Sequence, residues 1–237
     1  MTELSYARYL NLDTLLSLQE PRVPADAEPG VVRSELFFVI VHQACELWLK
    51  QLVGDLEATA DALSARYGRA DAELAAELLD RAAESLRILF EQLVALEKLP
   101  VRHFAEFRPY LGRASGAESV QFARLSDLVG REGETGRLYQ AFLDAADREK
   151  LPVAEICRLG PEAGVLHRVA EGLIDVGNRF WRWKSAHLGL MSKMLGGLPG
   201  TGGTSGAAHL AAGIHLPFPE LRQQRSTLHR ALAQPTA

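Results

Sequence analysis

The 237-residue chain predicts an all-α fold, a single helical bundle, on three observations. Apolar residues recur at three- and four-residue steps over most of its length. No period-two alternation persists anywhere, and no internal repeat appears. The strongest breakers are a Pro-rich entry, Pro100 and a glycine-rich stretch at 196–206.

Each element follows from its own pattern. Residues 1–30 read as an N-terminal arm, in which the amphipathic YARYLNLDTLLSLQ is set off from the core by the Pro-rich 20–30. Residues 34–67 read as a buried central helix. Apolar side chains surround it early (Leu36, Phe37, Phe38, Val39, Ile40, Val41) and then narrow to Leu49, Leu52, Val53, Leu56 and Leu63. Phe37 to Val41 is β-prone, but length and the continuing period favour helix. Over 71–99 Leu74, Leu78, Leu79, Leu86, Leu89, Phe90, Leu93 and Leu96 keep helical spacing, with Asp71 as N-cap and Pro100 as stop. Shorter helices fit 118–129, 136–148 and 152–158, and a long one fits 163–195. Six glycines in the eleven residues of 196–206 must end it, and a last amphipathic piece follows Pro219. One domain over 1–237 accounts for all of this.

Composition narrows the function. A 47% hydrophobic content at this length supports a sizeable core and excludes a disordered acidic tail, a collagen-like rod or a small disulfide scaffold. The 26 Lys and Arg against 30 Asp and Glu, interspersed, give a net charge of −4 and no basic field for nucleic acid. Two cysteines, Cys45 and Cys157, are too few for a disulfide framework or a Cys-rich metal site, and a reducing cytoplasm is the expected compartment. MTELSYARYL lacks signal-peptide character, and the longest nearly uncharged apolar run, 36–41, is far too short for a membrane span.

Three segments could carry chemistry. In HQACELWLK, His42 lies one turn after Phe38 and one before Glu46. Spacing alone favours a core histidine bonded to a backbone carbonyl, and a His–Glu pair without a second His is a weak metal signal. Gln43, Glu46 and Lys50 among apolar neighbours imply an internal polar network or a subunit interface. In FRPYLGRASG, Arg108 and the small residues Gly112, Ala114, Ser115 and Gly116 suit a ligand loop, and equally a helix-joining turn with Ser115 as cap. In FWRWKSAHLGLMSKML, Trp183, His187, Leu190, Met191 and Met194 share a face. That face suits core packing, or the wall of a flat apolar cofactor with His187 as axial ligand. The glycines after it follow a helix rather than a strand and end in no Lys-Ser or Lys-Thr, which excludes a dinucleotide fingerprint and a P-loop. Thr201 and Thr204 add hydroxyls to a tightly wrapping backbone.

Together and in this order, these segments resemble the tryptophan 2,3-dioxygenase family. HQACELWLK is similar to the family's HQ-x-x-ELW-x-K, FRPYLGRASG to FR-x-x-LG-x-SSG, and QFARL to its QFR- or QYR-containing helix. Trp183 and His187, followed thirteen residues later by GTGGTSG, match W-x-x-x-H and GTGGSSG. YARYLNLDTLLSLQ follows Y-x-x-Y-L-x-L-D-x-L-L-x-x-Q, and PFPEL resembles FFPEL of bacterial members.

The resemblance implies a bundle enclosing a non-covalent haem b, with dioxygen as co-substrate. It implies His187 as proximal ligand to the iron, beside Trp183, with Ser115 and Gly116 lining the distal side. His42 would bond the indole N–H, Phe38 would pack on the indole, Arg108 would clamp the substrate carboxylate and Thr201 would hold its ammonium. Tyr6 and Tyr9 would reach a neighbouring subunit's pocket in a homo-oligomer, a tetramer or dimer. The reaction so implied is cleavage of the indole C2–C3 bond of L-tryptophan or a substituted tryptophan, giving an N-formylkynurenine product. The competing classes are a haem monooxygenase of a tryptophan derivative and a non-catalytic haem or tryptophan sensor. Departures from the family pattern are Ala117 and Glu118 in place of Phe-Gln, Phe104 in place of a common tyrosine, and a shortened stretch between Gly130 and Trp183.

Overall fold

The computed structural model describes residues 4–64 and 70–233. Among them the regular structure is entirely helical, in eleven α-helices joined by turns and 3-10 pieces. Two short helices, α1 (Tyr6–Leu10) and α2 (Leu12–Leu15), form the N-terminal arm. The frame is three long helices: α3 (Pro29–Ser64), α4 (Ala72–Leu96) and α9 (Val165–Leu195). Between the last two run α5 (Val101–Phe107), α6 (Val120–Val129), α7 (Arg137–Arg148) and α8 (Val153–Leu159). After α9 come α10 (Ala207–Ala212) and α11 (Pro219–Ala233).

Packing explains the order. α4 lies between α3 and α9 and touches both extensively, while α5, α6 and α7 cover α3, and α11 closes over α8 and α9. Leu52, Leu56, Leu79, Phe142, Val169 and Phe180 belong to the larger apolar cluster. A smaller one gathers Val31, Val41, Phe104, Phe107 and Leu190 at the other end of the frame. Cys45 and Trp183 pack against both clusters and so join them. α3 and α4 are also tied by charge. Asp55, 3% exposed, accepts from Arg81 Nε at 3.0 Å and Arg81 Nη2 at 2.5 Å.

The helices start and stop close to where the sequence places them, and each discrepancy has a local cause. α3 begins at Pro29 rather than 34, since proline's fixed φ and missing N–H suit a first turn. The expected end at 67 lies outside the described residues. The β-prone 37–41 stays helical within α3. Asp71 does cap α4, its Oδ1 accepting from Leu74 N at 2.9 Å. Pro100 ends one helix and also caps the next, so α5 forms where the sequence suggested only a break. The segments at 118 and 163 open with 3-10 turns before α6 and α9 begin.

Glu35, 1% exposed, anchors the Pro-rich entry, its two carboxylate oxygens accepting the backbone N–H groups of Arg22 (2.9 Å) and Val23 (3.0 Å). Gln43 donates to Leu18 O and accepts from Gln19 Nε2. Ahead of these pins no residue of α1 or α2 is buried. Among the described residues α3 is the one helix long and apolar enough to cross a membrane by length and composition, yet it is the central helix of the bundle.

Candidate active site

The two candidate histidines stand on α3 and α9. His42 follows Phe38 by one turn of α3, and its Nδ1 lies 2.8 Å from the Phe38 carbonyl. A carbonyl only accepts, so Nδ1 carries the proton and Nε2 presents a bare lone pair. Phe38 stacks on His42 at 4.0 Å between centroids and is backed by Phe107 (5.4 Å) and Phe104 (6.0 Å). The crowded surroundings lower the His42 pKa, opposed by the Phe38 carbonyl and the Glu46 charge, so the ring stays neutral.

Opposite stands His187. Its ring stacks on Trp183, one turn earlier on α9, at 5.2 Å and 25°. Burial, and then the nearby charge of a protonated His42, push its pKa down to about 4. His42 is thus near enough to His187 for its charge to be felt there. Among the described residues neither nitrogen of His187 has a hydrogen-bond partner. Trp183 is held in turn by Phe122 of α6 at 5.2 Å.

Loops deliver the polar anchors to the rim. Arg108, at the end of α5, donates from Nη2 to the Pro199 carbonyl at 2.5 Å. Thr201 Oγ1 donates to the Ala114 carbonyl at 2.5 Å. These reciprocal bonds join the Arg108–Gly116 segment to the glycine loop. Gly202 seats the contact, because a Cβ there would lie 2.8 Å from Ser115 Cβ. Gly206, at φ 61°, closes the loop, since a Cβ on it would meet the Leu198 carbonyl at 2.6 Å. Ser115 is a cap as well as a rim residue. It accepts from Ala117 N while Glu118 accepts from Ser115 N, so Glu118, a departure from the family pattern, completes a capping box that opens at Gly116.

Contacts thus link Phe38 to His42, Trp183 to His187, Arg108 to the Pro199 carbonyl, and Thr201 and Gly202 to the Ala114–Ser115 segment, next to Gly116. Tyr6 and Tyr9 do not join them; they are 74% and 69% exposed on α1. Three contributors were given no role from the sequence. Phe107 is fully buried under Phe38, and Phe122 braces Trp183. Gln121 Nε2 bonds both the backbone carbonyl (2.7 Å) and the carboxylate (2.8 Å) of Glu46, which fixes α6 against α3. The aromatic–polar pair Gln121-Phe122 was the available signal.

The donor set suits a haem rather than a bare metal. Among the described residues no three His, Cys, Asp or Glu converge on a point. A porphyrin brings its own equatorial ligands and asks the protein for one neutral imidazole, which is what His187 offers. Two buried N–H groups beside the cleft, Trp183 Nε1 and Arg108 Nε, have no acceptor, and a bound group carrying oxygens would relieve that cost.

The sequence profile described as tryptophan 2,3-dioxygenase matches residues 1–158 and 153–228. The chain belongs to the tryptophan 2,3-dioxygenase family. It is 32% identical to the tryptophan 2,3-dioxygenase of Myxococcus xanthus, over 94% of this chain and 89% of that one. Identity to the enzyme of that name from Herpetosiphon aurantiacus is 29%, over 95% and 98%. With that of Burkholderia lata it is 27%, over 95% and 84%. The Herpetosiphon alignment runs over 266 positions, so about 40 of them have no counterpart here. The two halves of the family match meet at α8.

Proposed function

We propose that this chain is a haem-dependent dioxygenase that cleaves the indole C2–C3 bond of L-tryptophan or a substituted tryptophan to an N-formylkynurenine product. The observation that carries the reading is the pairing across one cleft of His187, neutral and unpartnered, with His42, whose Nε2 lone pair is free. His187 would hold haem b through a ring nitrogen. When bound, the haem supplies the ferrous centre that activates dioxygen, chemistry outside the reach of the protein's own side chains.

The side chains do the positioning. His42 Nε2 accepts the indole N–H, and the Phe38 ring, backed by Phe104 and Phe107, walls the indole. Arg108 spends one N–H on Pro199, leaving its other terminal nitrogen for a carboxylate. Thr201 donates its proton to Ala114, so its lone pairs can accept from an ammonium. Anchors for both ends of an amino acid around an apolar slot select tryptophan over bare indole. A haem sensor would have no use for them.

Assembly is part of the same reading. The arm exposes Leu4, Tyr6, Tyr9 and Leu16, and only 22% of the most apolar stretch of α3 is buried. Surfaces of that kind suit association, and a homo-oligomer, a dimer or tetramer, would cover them while bringing Tyr6 and Tyr9 to a neighbour's cleft. The unpaired thiols of Cys45 and Cys157 fit a cytoplasmic protein.

Reduced, haem-loaded protein mixed with L-tryptophan and oxygen-18 tests the function by mass spectrometry. A ring-opened product with two labelled atoms is expected. One labelled atom in an intact ring system would overturn the reading in favour of a monooxygenase, and unchanged tryptophan in favour of a sensor.

A further inference from the structure

The segment joining α6 to α7 and the segment leading into α11 line a cavity of about 300 Å³. None of the residues lining it belongs to the set assigned to haem or tryptophan.

Its walls are fixed. Gly130, at φ 102°, and Gly136 touch so closely that a Cβ on Gly136 would lie 2.3 Å from Gly130 N, which locks the 130–136 loop in one shape. The opposite wall is His215 to Glu220. There Phe218 adopts a left-handed φ of 57°, uncommon for a bulky side chain, and is only 3% exposed, with its ring 5.7 Å from Tyr139. His215 ties the walls together, its Nε2–H donating to the Gly130 carbonyl at 3.2 Å. Nδ1 is then a buried lone pair with no partner, which makes the wall electron-rich.

Carboxylates outnumber cations in the lining of this space. Glu132, Glu134 and Glu220 are exposed around it. Arg131, the one arginine of the lining, is paired with Asp127 at 2.7 Å. Lys184 lies close enough for Glu132 and Arg131 to act on its charge, and its Nζ sits 5.2 Å over the Phe180 ring. At the base is Tyr139, 4% exposed, whose hydroxyl has no hydrogen-bond partner among the described residues. That hydroxyl is not among the unpartnered atoms sealed from solvent, so it is reached through the cavity. Burial, aided by Glu220, pushes its pKa up to about 12 and keeps it protonated.

We propose that this cavity is a second small-molecule site, for an organic ammonium with an apolar body and no carboxylate. The ammonium would donate to the Tyr139 oxygen and to the Glu220 carboxylate, over an aromatic face that also favours cations. The body would lie against Val129, Leu216 and Phe218. An amino-acid zwitterion is disfavoured, because its carboxylate would face Glu132, Glu134 and Glu220, while Arg131 is already paired with Asp127, Lys184 lies against the Phe180 ring and Arg222 is turned to the Pro217 carbonyl. The inference does not depend on the reaction proposed for the haem cleft.

Calorimetry on the full chain with phenethylamine, phenylalanine and phenylacetate tests it. Phenethylamine is expected to bind one equivalent at about 1 mM or tighter, with no heat from phenylacetate and at least about tenfold weaker binding of phenylalanine. Glu220→Gln, at an exposed position, and Tyr139→Phe, checked for native circular dichroism, should each weaken phenethylamine several-fold. No binding of phenethylamine, equal binding of phenylacetate, or an affinity unchanged by Glu220→Gln would each overturn the proposal.

Discussion

A single hydrogen bond decides what His42 can do. Because Nδ1–H is given to the Phe38 carbonyl, Nε2 is left as an acceptor, the form that an indole N–H requires. A neutral hydrogen bond of this kind is worth about 0.5–1.5 kcal/mol net, roughly one order of magnitude in affinity or rate. His42→Ala is therefore expected to stay haem-loaded and to lose about tenfold in kcat/KM, and 1-methyltryptophan should lose less than tryptophan. Complete inactivity with intact haem would show an obligatory base instead. The pKa of His187 gives a second test at this scale. Its folded value of about 4 lies below the ordinary 6.5, so the fold favours the neutral ring. The stability this contributes is complete above pH 6.5 and is lost as pH falls towards 4. In the apo-protein the urea midpoint should drop over that window, and the drop should be smaller in His187→Gln. Equal drops would contradict the burial of this ring. From the sequence, His42 bonded to a backbone carbonyl was a legible reading. Its opposition to His187 was not, because 145 residues separate the two and only the packing of α3, α4 and α9 brings them together.

The long helices were the legible elements, since α4 and α9 carry unbroken apolar stripes. The shorter α6, α7 and α8 were legible too, but α5 was not. α5 holds only seven residues, and its identity as a helix rests on Phe104 and Phe107 packing under α3 rather than on local period. The glycine loop was legible as a break, but its partner was hidden, since nothing local in Gly202 announces Ser115. The contact sets a sharp expectation. Gly202→Ala must push the loop off the Ser115 segment, raising the Kd for tryptophan by about tenfold or more through the displaced Thr201. Gly197→Ala meets nothing within 4 Å and has no positive φ, so it should bind tryptophan like the parent. Fluorescence-monitored tryptophan titration of the two haem-loaded variants makes the comparison. Equal affinities would sink the assigned role of the loop.

Across the whole molecule, the arm is the feature a single chain leaves unexplained. Residues 18–23 are pinned to α3 through Gln43 and Glu35, whereas α1 and α2 bury no side chain. Deleting residues 1–16 keeps the pins, so the bundle and its haem should persist while self-association and tryptophan affinity both fall in sedimentation velocity and titration. A truncated chain that assembles and binds as before would show that the arm serves neither. The single bundle was legible from composition and period. Its division into two apolar clusters bridged by Cys45 and Trp183 was not, because both bridging residues read as ordinary core. Trp183 also stacks on His187, so the proposed haem site and the joint between the clusters coincide.

That coincidence makes one measurement decisive for the assignment of the cleft. Haem titration of the wild type and of His187→Ala, followed at the Soret band alongside circular dichroism, isolates the one imidazole on which the site depends. The wild type should saturate at one haem per chain, and His187→Ala should keep its helices but lose stoichiometric, axially ligated haem. A His187→Ala protein with full haem and an unchanged Soret spectrum would contradict the assignment.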